Sequence, residues 1–278
     1  MGWKIWQQGS QKLTAAETFH LLTATLLGLL LPLSFLLLSR FSAARYLLSL
    51  APHRLHNPLS LTVYLFLHAN PTLLHALVSV ITAAALIHGL TGRITPAGGP
   101  QKPIFRPHLS AAWILLCALQ ICVGFGIEGS VALGIEGSGF GKKRSFFGRL
   151  VLFVGLHETM LYWWRTVVKP VVDDTVLGSV KEERWVERTA LAACFGTLWW
   201  GRLREELESL VAILDVKKEM SMEIGIADFV GWWLYYVTVT IGMVRIVKGI
   251  MWIGVVVLCR RVEAIPDEEN RGDDEEKV

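Results

Sequence analysis

Residues 19 to 39 read FHLLTATLLGLLLPLSFLLLS, without one Lys, Arg, Asp or Glu. As α-helix these 21 residues rise about 31 Å, enough to cross a hydrocarbon core of about 30 Å. A backbone placed there must satisfy its own N–H and C=O groups, which restricts the chain to helices or a closed barrel. The run is longer than the apolar region of a signal peptide and has a long lead-in, so it reads as a first transmembrane helix.

The rest of the chain repeats the pattern. Of its 278 residues 53% are hydrophobic and 18% charged, with mean hydropathy +0.45, a balance that excludes an ordinary soluble domain. Apolar runs recur at 72–90, 109–127, 146–168, 189–201 and 226–259. The fifth is short for a crossing, and the sixth is longer than one needs and is interrupted by Arg245 and Lys248. The expected fold is an all-α, polytopic transmembrane bundle of five or six spans. Residues 1–18 form a polar N-terminal segment, 19–261 the helical domain and 262–278 a disordered acidic tail. That tail carries eight acids against two bases, a net of −6, which leaves +9 on the remainder. Arg40, Arg45, His53, Arg54 and His56 read as a basic connection behind the first span. Lys and Arg sit at the ends of apolar blocks, where they reach anionic headgroups, so the partners expected are membrane lipids and not nucleic acid.

Local signals refine the layout. Asn57-Pro58 and Asn70-Pro71 each pair an N-cap residue with a proline suited to the first helical position. The stretch 59–69 between them would rise only roughly 17 Å, giving either a half-helix or one long helix kinked at Pro71. Residues 169–178 read as a loop in which Asp173 and Asp174 form a solvated turn or cap, and Ser179 with Glu182 is a capping box that starts the next helix near Val180. Leu203, Leu207, Leu210 and Leu214 make an apolar stripe on an amphipathic helix at about 202–220, expected to lie on the membrane or on a partner. Trp163, Trp164, Trp185, Trp199, Trp200, Trp232 and Trp233 fit alternating crossings of an interfacial aromatic belt. With six spans both termini face the cytoplasm, on a small excess of Lys and Arg in the inner segments.

Residues able to carry chemistry are few. His157 and Glu158 fall in the middle of the fourth span, where ionisable groups are costly and mark functional paths. Arg165 follows Glu158 by seven residues, on the same helical face. The three make a candidate intramembrane binding site for an ion or small solute. Lys142, Lys143 and Arg144, behind a glycine-rich stretch in which GIEGS occurs at 126–130 and 134–138, are candidates for a lipid headgroup. His20, His68, His75 and His88 lie in or beside apolar segments and allow a haem between helices as a third reading. Cys117, Cys122, Cys194 and Cys259 have no metal-site spacing. Gly124 to Gly129 matches G-x-G-x-x-G but has no strand before it. No catalytic residue, metal or cofactor is assigned. The leading expectation is a non-enzymatic component of a membrane complex, with a membrane-protein partner or a second copy of itself meeting the leucine stripe and the tail. A transporter or channel using His157, Glu158 and Arg165 is the alternative.

Overall fold

A computed structural model describes residues 15–50, 61–68, 70–92, 107–135, 145–177, 184–221 and 224–263. Among them the chain is helical and contains no strand. Four helical stretches, Ala15–Leu50, Thr72–Thr91, Ser110–Ala132 and Ile226–Cys259, are long and apolar enough to cross a membrane. The described residues are thus all-helical, with several helices compatible with a membrane.

The first arm starts earlier than its apolar run, with α1 (Ala15–Gly28), and continues as α2 (Leu30–Leu50). The two meet at Leu29, where Pro32 has no N–H to give the Gly28 carbonyl, so one bond of the ladder is missing. This arm is the centre of the bundle: Leu30, Leu31, Phe35, Leu36 and Leu38 are all nearly inaccessible. Residues 30–44 suit a helix segment enclosed on every side, whereas Phe19, Leu22 and Leu26 earlier in the arm are exposed. Around it lie α3 (Leu61–His68), α4 (Thr72–Thr91), α5 (Pro107–Ala132) and α6 (Phe146–Trp163). The short α3 is a separate half-helix whose Phe66 stacks on Phe41 of α2, with ring centroids 4.4 Å apart. Asn70 caps α4, its Oδ1 accepting the Thr72 N–H at 3.1 Å.

Beyond α6 the helix does not stop. It widens into a π turn over Trp164–Val168, passes through α7 (Lys169–Val172) around Pro170, and widens again over Asp173–Leu177. The expected loop at 169–178 is therefore helical as far as Leu177, because Asp173 finds partners inside the bundle. The proposed cap at Ser179 and Glu182 lies outside the described residues. The next helix, α8 (Trp185–Leu198), leads through a third π turn, Trp199–Leu203, into α9 (Arg204–Glu206) and α10 (Ser209–Glu219). A single helix of 38 residues, α11 (Ile226–Glu263), completes the described chain.

Paired contacts fix the directions. Leu37 and Arg40 of α2 meet Gly126 and Ser130 of α5, so these helices run parallel. Asp228 and Lys248 of α11 lie at the levels of His75 and Gly89 of α4, so these two also run parallel, in the opposite sense to the first arm. The α6–α11 crossing is the closest approach: a Cβ at Gly155 would fall on the Thr238 carbonyl, and one at Gly242 on the Val151 carbonyl. One glycine on each side lets the backbones touch, and small residues at the contact are the device that joins helices where lipid removes the hydrophobic drive.

Two expectations are corrected here. Leu203, Leu207 and Leu210 are buried within the chain's own core, 3% exposed or less, because α9 and α10 turn the stripe onto α2 and α11. Trp163 and Trp164 are core residues, not belt residues, and the Trp163 indole N–H donates to the Leu27 carbonyl at 3.0 Å. Trp185 and Trp200 are exposed, as a belt requires. Gly155→Ala and Gly242→Ala are each expected to lower stability by about 1–3 kcal/mol, the cost of overpacking, read from unfolding in detergent. Gly249→Ala, with open space around it, is expected to cost nothing.

Candidate functional site

Glu158, one of the three residues of the sequence-derived site, meets an opposite charge on another helix. Its carboxylate lies 3.4 Å from Nε of Arg245, halfway along α11, and the two side chains are 24% and 61% exposed. One turn further, the ammonium of Lys248 donates to the Gly89 carbonyl near the end of α4, where a cation meets the negative end of the helix. Next to Gly89, His88 faces the Tyr162 ring of α6 at 5.3 Å between centroids. The pair thus sits on an outer face formed by α4, α6 and α11.

His157 turns away from this face. Successive residues on a helix differ by about 100° in direction, and His157 packs on Phe153 and Phe195, at 6.2 and 5.7 Å between centroids. Arg165 is exposed in the π turn that begins at Trp164, beyond the regular 3.6-residue register on which the seven-residue spacing relied. Lys142, Lys143 and Arg144 lie outside the described residues.

The largest buried polar groups escaped the sequence reading. Arg40, placed in a basic connection by its position after the apolar run, is only 1% exposed inside α2. Its guanidinium forks onto Glu206 with Nε–Oε2 at 2.6 Å and Nη2–Oε1 at 2.8 Å, and Nη1 donates to the Ser130 hydroxyl at 2.8 Å. Ser39 adds hydrogen bonds to the Glu206 carbonyl and to Ser209, the latter at 2.6 Å. A legible signal existed: no glycine or proline stands between Ser39 and Ala51, so nothing ends the helix at Arg40.

A second cluster closes the other end of the bundle. Asp173, expected in a solvated turn, is fully buried; its carboxylate accepts from His20 at 2.6 Å and lies 3.1 Å from the Lys169 ammonium. Lys169 also reaches Glu187 at 3.5 Å, so acid and base alternate from α1 to α8. At the rim, Arg184 bonds Glu17 at 2.7 Å, and that hydrogen bond holds its guanidinium above the usual basicity. Lower in the bundle, Arg149 pairs with Glu208 at 2.8 Å and Lys217 with Asp228 at 2.7 Å.

These groups pair acids with bases and join helices. Among the described residues no three His, Cys, Asp or Glu side chains gather into a metal-ligand group, and His20 spends its Nε2 on Asp173. Comparison of the chain with protein-family models, with curated proteins and with solved structures finds no match. Arg40→Leu, which leaves Glu206 buried without its guanidinium, is expected to cost about 3–5 kcal/mol, whereas Arg40→Met with Glu206→Leu recovers most of it. Chemical denaturation of the single and double variants measures the difference.

Proposed function

We propose that the chain is a non-enzymatic component of a membrane complex, joined to another membrane protein or to a second copy of itself across the face formed by α4, α6 and α11. One observation carries this reading: the Glu158–Arg245 pair stands on the outside of the bundle, halfway along a helix apolar enough to span, with the Arg245 side chain 61% exposed. Charges at that depth cannot face acyl chains cheaply; insertion scales put an arginine at about 2.5–3.5 kcal/mol. Among the described residues this face is left open, and we assign the group that covers it to another chain. Arg245 and Lys248 outnumber Glu158 by one positive charge, which favours a partner helix bringing a carboxylate or free carbonyls.

The same reading makes 146–177 and 185–219 the fourth and fifth spans. Six arms of alternating direction would leave residues 15 and 263 on one side of the membrane, and we assign that side to the cytoplasm. The acidic tail lies beyond the described residues apart from its first two positions, and on this reading it follows on the cytoplasmic side. With the leucine stripe turned inward, the tail and the α4–α6–α11 face are the elements left for partners.

A transporter is the second reading, favoured by the same open pair: an acid and a base held at mid-depth but still accessible could line a water path completed by the partner. Arg245→Leu combined with Lys248→Leu separates the two. Complexes extracted in mild detergent are expected to fall to the mass of the single chain, while unfolding of that chain shifts by less than about 1 kcal/mol, as for other exposed positions. Unchanged complex mass would contradict the assembly reading. Loss of ion flux in proteoliposomes of Glu158→Gln, with the complex intact, would favour transport.

A further inference from the structure

Three of the long apolar helices end at one cavity. A space of about 580 Å³ opens between the end of α2, the first turn of α4 and the first turn of α11, lined among others by Arg45, Thr72, His75, Lys217, Gly225 and Asp228. Its chemistry is that of an anion site. Arg45 and Lys217 are cationic against one carboxylate, Asp228. That carboxylate is already engaged, accepting from Lys217 at 2.7 Å and from the Gly225 N–H at 3.2 Å. Among the described residues no carboxylate pairs with Arg45.

Two further features lie at the same space. The Asp228 and Phe229 amides bond the Gly225 carbonyl, whereas the Ile226 and Ala227 amides, at cavity-lining residues of the first turn, have no intrahelical acceptor and carry the positive end of a 38-residue helix. Independently, His75 is only 7% exposed and its Nδ1 has no hydrogen-bond partner among the described residues. A buried polar atom left unmet costs free energy until a ligand or water reaches it. A guanidinium, an ammonium, an imidazole and helix amides brought to one cavity by different elements match an anion with several oxygens better than a single carboxylate.

We propose that this cavity binds a phosphate group. At the ends of three membrane-compatible helices it stands at headgroup level, so the phosphate comes from an anionic phospholipid or from a soluble phosphate, and the chemistry of capture is the same for both.

The full-length chain, purified in phosphate-free maltoside detergent, is titrated with phosphatidic acid in mixed micelles and, separately, with inorganic phosphate, and its unfolding temperature is followed. A rise with phosphatidic acid assigns a lipid headgroup; a rise with inorganic phosphate alone assigns a soluble source. Arg45→Gln, at an exposed position, is expected to weaken binding about tenfold, the scale of one charge-assisted contact. His75→Leu removes the unmet nitrogen, so the ligand-free protein is expected to unfold at an equal or higher temperature while the phosphate-induced rise shrinks. A merely structural histidine would not produce that opposition. If neither anion shifts the wild-type protein, or if both variants respond as it does, the site does not exist.

Discussion

A charge enclosed by apolar helices has to be met by another charge, and the Arg40–Glu206 fork is where that constraint shapes this molecule most. Leaving either group alone would cost several kcal/mol, so α2, the most enclosed helix, and the α9 turn are held in one register. Ser39, Ser130 and Ser209 take up hydrogen bonds around the fork, tying in α5 and α10 as well. The amphipathic segment after α8 is thereby drawn into the bundle, carrying Leu203, Leu207 and Leu210 into the core with it. One ion pair explains both a buried arginine and an inward leucine stripe.

The same rule orders the remaining helices. His20, Asp173, Lys169 and Glu187 close one end, and Lys217 with Asp228 closes the other. Between them the α6–α11 crossing depends on size and not on charge, through Gly155 and Gly242. Glu158 and Arg245 meet just above that crossing but on its open side. The enclosed pairs join helices of one chain, and this pair differs from them in being accessible.

How much of this could be read from the residues follows from the range of the interactions. The apolar runs at 72–90, 109–127 and 226–259 fall on α4, α5 and α11 because hydropathy is a local property of the sequence. The ends of the helices were less legible. Arg40 and Asp173 look like residues that terminate a span, and only partners 166 and 153 residues away turn them inward. Trp163 looks like a belt residue until the Leu27 carbonyl takes its N–H. Of the candidate site, Glu158 could be picked out by the cost of its depth. Its partner could not, because Arg245 reads equally well as the end of the last span.

Lipid immersion of α11 is the central claim, since the meaning of the Glu158–Arg245 pair depends on it. Tyr236, Met243, Ile250 and Val257 are exposed and spaced by seven residues along one face, and a nitroxide at each can report its depth through collisions with oxygen against a water-soluble nickel complex. Full-length protein in lipid bilayers is expected to give oxygen-dominated relaxation at Met243 and Ile250, falling off toward Tyr236 and Val257. Equal access of the nickel complex at all four positions would place the helix in water and contradict the account.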